Sequence, residues 1–233
     1  MKLTYLMPYQ EYYVVKAIGK IFKTWYNNNI LNITPAILLT VASLQSFSQG
    51  FNGGFYFSGV TSQVDGDNRA GYNKFGIAGG IYTKFQLKKQ WALSLSIGYI
   101  QKGARQVDKE NIYNSYELRA NYIELPVAIH YKPNFNKNLE PLSFALGLNN
   151  AILMNAKEDI GGGGFTEPYV ALRKYNLSTQ AEVFWELSKL LTAGLRMEYS
   201  MTPVREGEGN PTKTIWNKGQ YHNVLMLSIY FTL

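Results

Sequence analysis

The sequence predicts an all-β protein, an eight-stranded antiparallel up-and-down β-barrel that crosses a membrane with its strands. Many short segments alternate apolar and polar residues, which is the period of a β-strand. The chain of 233 residues is 15% aromatic and contains 21 Gly, yet only 17% of its residues are charged, below the roughly 25% usual in soluble proteins. Short turns alternate with long polar loops, as in bacterial outer-membrane barrels.

Eight segments carry this alternation. They span residues 51–60, 75–87, 91–102, 116–131, 142–154, 175–187, 191–201 and 223–233. Each is long enough for the roughly 9–11 residues with which a tilted strand crosses the hydrocarbon core. Long loops are expected at residues 64–73, 103–115, 156–174 and 202–220, with short turns between the remaining neighbours. This asymmetry predicts outer loops at one end and periplasmic turns at the other.

The fourth segment contains two irregularities. If its alternation continues upstream, Arg119 and Asn121 lie on the same face as the apolar residues. Either that stretch projects above the membrane, or a bulge near Tyr122 resets the alternation. Pro126 lies in the middle of the segment, where it removes a hydrogen-bond donor from the sheet.

The final segment predicts how the sheet closes. One face carries apolar side chains up to the last residue: Leu225, Leu227, Ile229, Phe231 and Leu233. An open edge of this kind invites aggregation, whereas closure against the first segment gives the strand two neighbours. We expect these five residues to face outer-membrane lipid, with Phe231 near the periplasmic rim. A terminal apolar and aromatic strand also resembles the element that outer-membrane assembly machinery recognises.

Alternation alone does not determine which face is buried. A soluble barrel of the lipocalin type places its apolar face inside, so a soluble periplasmic barrel that binds an apolar ligand is an alternative. The polar faces of this chain combine Gly, Ala and Ser with charged residues, which suits the narrow lumen of eight strands. Aromatic residues near strand ends, such as Trp91, Tyr131 and Trp185, are typical of the girdles at membrane interfaces. These features favour a membrane barrel.

With the polar faces inward, several charged side chains share the lumen. We predict a structural charge network of Lys84, Glu124, Glu182, Arg196 and Glu198, centred on Arg196, Glu124 and Glu182. Buried charges must be paired or solvated, so such a network acts as a plug and argues against a diffusive pore. Lys102 and Glu186 are expected at the wet rims of the barrel.

The N-terminal region has the features of a signal peptide. Basic residues come first, then an apolar stretch, then small residues: Lys16, Lys20 and Lys23; residues 33–44; and Ser46 and Ser48. This order defines secretory leaders. We therefore expect residues 1–49 to form a leader that is cleaved near Ser48 or Gln49, leaving residues 50–233 as the barrel. An uncleaved N-terminal anchor is the alternative.

Composition and motifs exclude several kinds of chemistry. The chain has no cysteine, which excludes disulfides and thiolate metal sites. Its formal net charge is +7, but no basic cluster is interleaved with aromatic residues, so nucleic-acid binding is not expected. The turn at residues 65–68 lacks the flanking ligands of a calcium loop, and the glycine run at 161–164 lacks the Lys-Ser/Thr of a phosphate-binding loop. No metal or cofactor is predicted.

The two histidines of the chain, His130 and His222, are the residues from which a catalytic site would be built. We expect His222 near the outer mouth and His130 near the periplasmic side, roughly 25 Å apart, which is too far for one site. No carboxylate or serine partner of His222 can be identified from the spacing. The sequence therefore predicts no catalytic residues.

Four segments have an order and spacing that resemble a known family. They are residues 59–67, 71–76, 99–103 and 121–126, of which the last, Asn-Tyr-Ile-Glu-Leu-Pro, is the most specific. Together they resemble the PorT-like outer-membrane β-barrel family, common in Bacteroidetes, over roughly residues 50–233. The resemblance implies a barrel in the outer membrane of a Gram-negative bacterium, with no catalytic motif. The family's namesake is tied to type IX protein secretion.

The principal functional hypothesis is a non-enzymatic outer-membrane barrel with a structural or accessory role, extending to protein secretion. Its expected partners are outer-membrane lipid, the assembly machinery and other envelope or secretion proteins. The alternatives are an outer-membrane enzyme acting on lipid or peptide at the outer mouth, and the soluble periplasmic barrel.

Overall fold

A computed structural model describes residues 51–67, 71–134, 141–205 and 219–233 of the chain. The leader expected at residues 1–49 and its cleavage site lie outside these ranges. In the part of the chain that the structure describes, no helix is long and apolar enough to cross a membrane.

Eight antiparallel strands form one closed barrel in chain order. They are β1 (Phe51–Asp65), β2 (Lys74–Lys88), β3 (Trp91–Gln106), β4 (Tyr116–Tyr131), β5 (Leu142–Ile160), β6 (Tyr175–Glu186), β7 (Leu191–Ser200) and β8 (Tyr221–Thr232), with a 3₁₀ turn at Ile112–Asn114. The first and last strands close the barrel, pairing from Gly54 and Thr232 to Asp65 and Tyr221. The predicted fold class is confirmed.

Three strands extend four to six residues beyond the ends that the sequence pattern predicts. β1, β3 and β5 continue to Asp65, Gln106 and Ile160, beyond the predicted ends at residues 60, 102 and 154. The predictions stop where the apolar stripe stops, but backbone pairing continues: Tyr116 of β4 still pairs with Ile160 of β5. The barrel wall therefore extends above the apolar stripe, at the end that carries the long loops.

The apolar face of the sheet lies outside the barrel. Phe57 and Ile81 are each 62% exposed and Leu227 is 64% exposed, whereas Ser62 and Asn149 are fully buried in the lumen. A continuous exposed apolar surface requires a membrane or a partner to cover it, whereas a soluble barrel of the lipocalin type would bury that face. The alternative of a soluble periplasmic barrel is therefore wrong.

β8 presents its alternating stripe to the outside. Leu225, Leu227, Ile229, Phe231 and Leu233 lie on the outer face, while Val224, Met226, Ser228 and Tyr230 are buried inside. The stripe continues in the neighbouring strand, because Leu227 pairs with Gly59 and Phe231 with Phe55 of β1. These outward side chains form part of the apolar outer face of the barrel.

Aromatic side chains pair around the rim at which β1 begins and β8 ends. Phe55 stacks on Phe231 with 4.9 Å between ring centroids, and Trp91 lies 4.8 Å from Tyr131. Short turns mark this end as the periplasmic one. The predicted position of Phe231 near the periplasmic rim agrees with this arrangement.

β4 does not reset its alternation. Ala120, Tyr122 and Glu124 all face the lumen and are at most 2% exposed, so Arg119 and Asn121 point outward above the apolar stripe. The register shift opposite Asn121 and Tyr122 adds a residue to β5 instead. The stretch therefore projects above the membrane, which is the first of the two predicted alternatives.

Pro126 interrupts one ladder of the sheet without breaking the strand. The pairing of β3 with β4 passes directly from Leu95 and Val127 to Gly98 and Glu124, whereas Pro126 pairs with Asn149 on the β5 side. A proline has no N–H to donate, so the β3 side of the strand loses its bond there.

Gly103 of β3 occupies a position that no other residue fits. Its φ is +156° and a Cβ atom would lie 2.0 Å from the Leu118 carbonyl oxygen. Both backbone polar groups of Gly103 bond the Ser62 hydroxyl of β1, at 2.9 and 3.0 Å. The glycine thus lets β3 approach both β4 and the lumen side of β1.

Replacing Gly103 with alanine is expected to lower the free energy of unfolding by about 1–3 kcal/mol, the usual cost of forcing extra atoms into packed structure. Urea unfolding in lipid vesicles would measure it. Gly59→Ala is the matched control, because a Cβ at Gly59 meets nothing within 4 Å. Equal stability of the two variants would contradict this account of Gly103.

Candidate functional site in the barrel lumen

The lumen contains three sets of charged and polar side chains at different depths. We call them the periplasmic layer (Glu182, Arg196 and Tyr230), the middle layer (Lys102, Glu124, Asn149 and Glu198) and the outer layer (Tyr116, Glu158 and Arg205). Each layer joins side chains from different strands or loops, since inward-facing residues alternate along every strand.

The middle layer is built around one buried cation. Lys102 Nζ donates to Glu124 Oε1 at 2.7 Å and to Glu198 Oε1 at 2.8 Å, which connects β3 with β4 and β7. Asn149 Nδ2 donates to the second oxygen of Glu198 at 2.8 Å. Lys102 and Tyr122 are fully buried, and the ammonium group lies 4.8 Å from the centre of the Tyr122 ring. One cation thus bonds two carboxylates in a buried site.

The periplasmic layer pairs Arg196 with Glu182. Arg196 Nε donates to Glu182 Oε2 at 2.9 Å and Arg196 Nη2 donates to the Tyr230 hydroxyl at 3.0 Å. The Tyr230 hydroxyl in turn donates to Glu182 Oε1 at 2.6 Å, and its ring stacks on Tyr56. Glu182 and Arg196 are direct neighbours in the β6–β7 register. This layer is closed by charge-assisted hydrogen bonds, which are stronger than neutral ones.

The outer layer connects the barrel wall with the β7–β8 loop. Both terminal nitrogens of Arg205 donate to Glu158 Oε1 at 3.1 Å, and the Tyr116 hydroxyl donates to the same oxygen at 2.5 Å. Leu172 and Val204, from the two neighbouring loops, are buried at this end of the barrel. Residues 172 and 204–205 of these loops therefore lie at the outer end of the lumen.

The β3–β4 loop is ordered by one carboxylate. Asp108 accepts hydrogen bonds from the backbone N–H groups of Glu110 and Asn111 and from the Asn114 side chain. These bonds, that of Asn111 foremost, lower the pKa of the Asp108 carboxyl below its usual value. The loop keeps this arrangement while Asp108 is ionised, and loses its stabilisation as the pH falls towards the pKa.

The structure distributes the predicted network differently from the sequence prediction. Arg196 and Glu182 lie together, but Glu124 belongs to the middle layer, where its partner is Lys102. Lys102 is fully buried, so the expectation that it lies at a wet rim is wrong. No signal in the apolar pattern marks it, because it lies just above the last apolar outward residue of β3.

Lys84 and Glu186 lie near the periplasmic mouth. Both line a cavity of about 270 Å³ that reaches the turn residues Ser188 and Lys189. Glu186 is exposed and pairs with Lys132 at 2.6 Å, at the rim as expected. Among the residues that the structure describes, no carboxylate lies within 4 Å of the Lys84 ammonium group, so Lys84 is not joined to the predicted network.

Both histidines are lumen residues. His222 lies at the outer end of β8, opposite Val64 of β1. It is fully buried there, and its Nε2 lies 3.1 Å from the Tyr122 hydroxyl. His130 Nε2 lies 2.8 Å from the Ser94 hydroxyl. Within the described ranges, no three His, Asp or Glu side chains are grouped to hold a metal ion.

A closed eight-stranded barrel with an apolar outer face and a charged lumen defines the class of integral outer-membrane β-barrel proteins. The protein is accordingly located in the outer membrane of a Gram-negative bacterium. Residues 42–206 match the family model of the outer membrane protein beta-barrel domain, and the chain belongs to this family.

Solved structures of other barrels are similar in fold at low sequence identity. Ail, the attachment invasion locus protein of Yersinia pestis, is 12% identical, with 79% of this chain and 100% of that chain covered and a TM-score of 0.46. Neisserial surface protein A is 12% identical, with 79% and 98% covered and a TM-score of 0.43. The N-terminal barrel domain of Pseudomonas aeruginosa OprF is 12% identical, with 79% and 100% covered and a TM-score of 0.35. No curated protein sequence matches the chain.

Proposed function

We propose that this protein is a non-enzymatic structural or accessory component of the outer membrane, with a barrel that anchors its loops and does not conduct solutes. The observation that carries the proposal is the middle layer. Lys102 bonds Glu124 and Glu198 from two other strands, and all three side chains are at most 3% exposed. A water-filled pore would hydrate such charges, whereas here they are satisfied by each other.

The histidine environments support a role without catalysis. A hydrolytic base needs a nucleophile or a water within hydrogen-bond reach and a path for substrate. The ring of His222 meets the Tyr122 hydroxyl in a fully buried position, beneath the outer layer. Neither the His222 ring nor the Tyr122 hydroxyl is placed to contact a lipid or peptide at the outer mouth.

Conductance in planar bilayers tests the closed barrel. We expect the protein purified from membranes to produce no large, steady single-channel current, because the middle layer occupies the lumen. A porin reconstituted in the same bilayer serves as the positive control. A stable step of porin size, abolished by an antibody to an outer loop, would contradict the proposal.

An accessory role in protein secretion is the finer part of the proposal. It is supported by the resemblance of residues 59–67, 71–76, 99–103 and 121–126 to the PorT-like family, and rests on analogy at the level of the fold. Deleting the gene should leave secreted substrates trapped in the periplasm, and cross-linking from the loops or turns should capture envelope proteins. Normal secretion by the deletion strain would contradict the secretion role, but it would not contradict the proposal that the barrel is closed to solutes.

A further inference from the structure

The outer wall of the barrel carries a cluster of cations above the apolar stripe. Lys74 of β2, Arg105 of β3, Arg119 of β4 and Lys157 of β5 line a groove of about 520 Å³, together with the single carboxylate of Glu117. We call it the outer-face groove. Arg105, Arg119 and Lys157 point outward, whereas Lys74 is only 7% exposed and Lys102 of the middle layer also contributes to the lining.

The register places the groove directly above the membrane. Tyr99, Ile123 and Ile152 form the last apolar row across β3, β4 and β5. The next outward row is polar, consisting of Gln101, Asn121 and Asn155. Below it, the apolar stripe of β4 runs from Ile123 to Tyr131, which at about 3.4 Å per residue and a tilt near 40° spans about 21 Å of the roughly 25 Å band of such barrels. The groove thus lies at the depth of the outer-leaflet headgroups.

The cations of the groove outnumber its carboxylates. Glu117 is shared by three of them, at 2.7 Å from Arg119 Nε, 3.4 Å from Arg105 Nε and 4.0 Å from Lys74 Nζ. Lys157 has no carboxylate within 4 Å among the described residues. Its register partner is Arg119, and like charges directly opposite each other destabilise a sheet. The protein thus contains an unfavourable like-charge pair, and an anionic ligand would reduce the repulsion between its two side chains.

Arg119 is already held in position for such a ligand. Its guanidinium lies 3.8 Å from the centre of the Phe165 ring, and its Nε bonds Glu117. The two terminal nitrogens have no hydrogen-bond partner among the residues that the structure describes, and the side chain is 51% exposed. A fixed guanidinium with two free donors suits the paired oxygens of a phosphate.

We propose that the outer-face groove binds a phosphate group of a phosphorylated glycolipid in the outer leaflet. Four cations supply the charge, Arg119 and Lys157 supply the free donors, and the apolar rows beneath them receive the acyl chains. A lipid phosphate is favoured over free phosphate because only one polar row, Gln101, Asn121 and Asn155, lies between the charged rows and the apolar stripe. Binding would cancel the repulsion between Arg119 and Lys157.

The test compares lipid A carrying both phosphates with the same lipid after removal of its phosphates. Binding to the full barrel, purified in a neutral maltoside detergent, is measured by native mass spectrometry. Arg119→Gln with Lys157→Gln should weaken binding of phosphorylated lipid A at least about tenfold, since charge-assisted hydrogen bonds contribute more than about 1.4 kcal/mol each. The wild-type barrel should prefer the phosphorylated lipid by a similar factor.

Two further measurements separate this site from a general effect of charge or folding. Lys89→Gln with Lys189→Gln removes the same charge at the periplasmic turns, and should leave binding within about twofold of the wild type. Lys157→Gln alone should show an intermediate loss of binding, while its unfolding temperature without lipid is not lowered, because a like-charge contact has been removed.

Three outcomes would overturn the proposal. The first is equal binding of phosphorylated lipid A by the wild type and the Arg119→Gln, Lys157→Gln variant. The second is equal affinity of the wild type for the dephosphorylated lipid, which would show that phosphate is not recognised. The third is displacement of lipid A by millimolar inorganic phosphate, which would assign the site to the free ion.

Discussion

Replacing Lys102 with methionine is expected to lower the free energy of unfolding by about 3–5 kcal/mol, the cost of leaving buried charges without their partner. Lys102 is the cation for Glu124 and Glu198, at 2.7 and 2.8 Å. Methionine preserves most of the side-chain volume, so the effect reports lost charge pairing and not a cavity. Urea unfolding in lipid vesicles, followed by tryptophan fluorescence, would measure it.

A compensated variant tests whether charge is the cause. Adding Glu124→Gln and Glu198→Gln to Lys102→Met removes the two carboxylates left behind, and should return the stability to within about 2 kcal/mol of the wild type. Lys88→Met, at an exposed position of β2, is the surface control and should change little. A loss below about 1 kcal/mol for Lys102→Met would show that the middle layer does not hold the lumen together.

Deleting Phe231 to Leu233 is expected to block assembly of the barrel in the membrane. Phe231 stacks on Phe55 and pairs with Leu191 of β7. The Thr232 N–H donates to the Leu190 carbonyl and the Leu233 N–H donates to the Gly53 carbonyl. Without these residues β1 and β7 lose their common neighbour at the periplasmic rim, which leaves open edges in a membrane that cannot solvate them.

Heat-modifiable migration of membrane fractions would measure this assembly, since a folded barrel migrates differently from the unfolded chain. Removal of Gly162 to Gly164 from the β5–β6 loop is a control deletion of equal length, because the loop lies outside the sheet. We expect the loop deletion to assemble normally. Normal insertion of the C-terminal truncation would refute the role assigned to the closing strand.

The alternation of the sequence was sufficient to predict the strands and the closure, whereas the outward face was predicted from the Gly, Ala and Ser of the polar faces and from the aromatic residues near strand ends. The period of two is a local property, so it can be recognised in each segment without knowledge of the fold. The pair of Glu182 and Arg196 is nearly as local. These residues lie 14 positions apart on two strands joined by a short turn, and a hairpin of this kind determines its own register.

The ends of the strands next to the long outer loops were predicted less well. The apolar stripe ends with the membrane, but hydrogen bonding between strands does not depend on what the side chains face. β1, β3 and β5 therefore continue to Asp65, Gln106 and Ile160. Arg105 and Lys157 of the outer-face groove lie on the extensions of β3 and β5, which is why the sequence showed only Arg119 of β4, and only as an irregularity.

The sequence by itself determined that the chain forms eight strands long enough to cross a membrane, because side-chain period and length follow from each segment alone, and the composition of the two faces indicated which one lies outside. Tertiary structure decided which charges meet. Lys102 reaches Glu124 across 22 positions and Glu198 across 96, and Arg119 lies opposite Lys157 only through the β4–β5 register. These contacts depend on the stagger and closure of the whole barrel, which set the depth of every side chain and which no single segment contains.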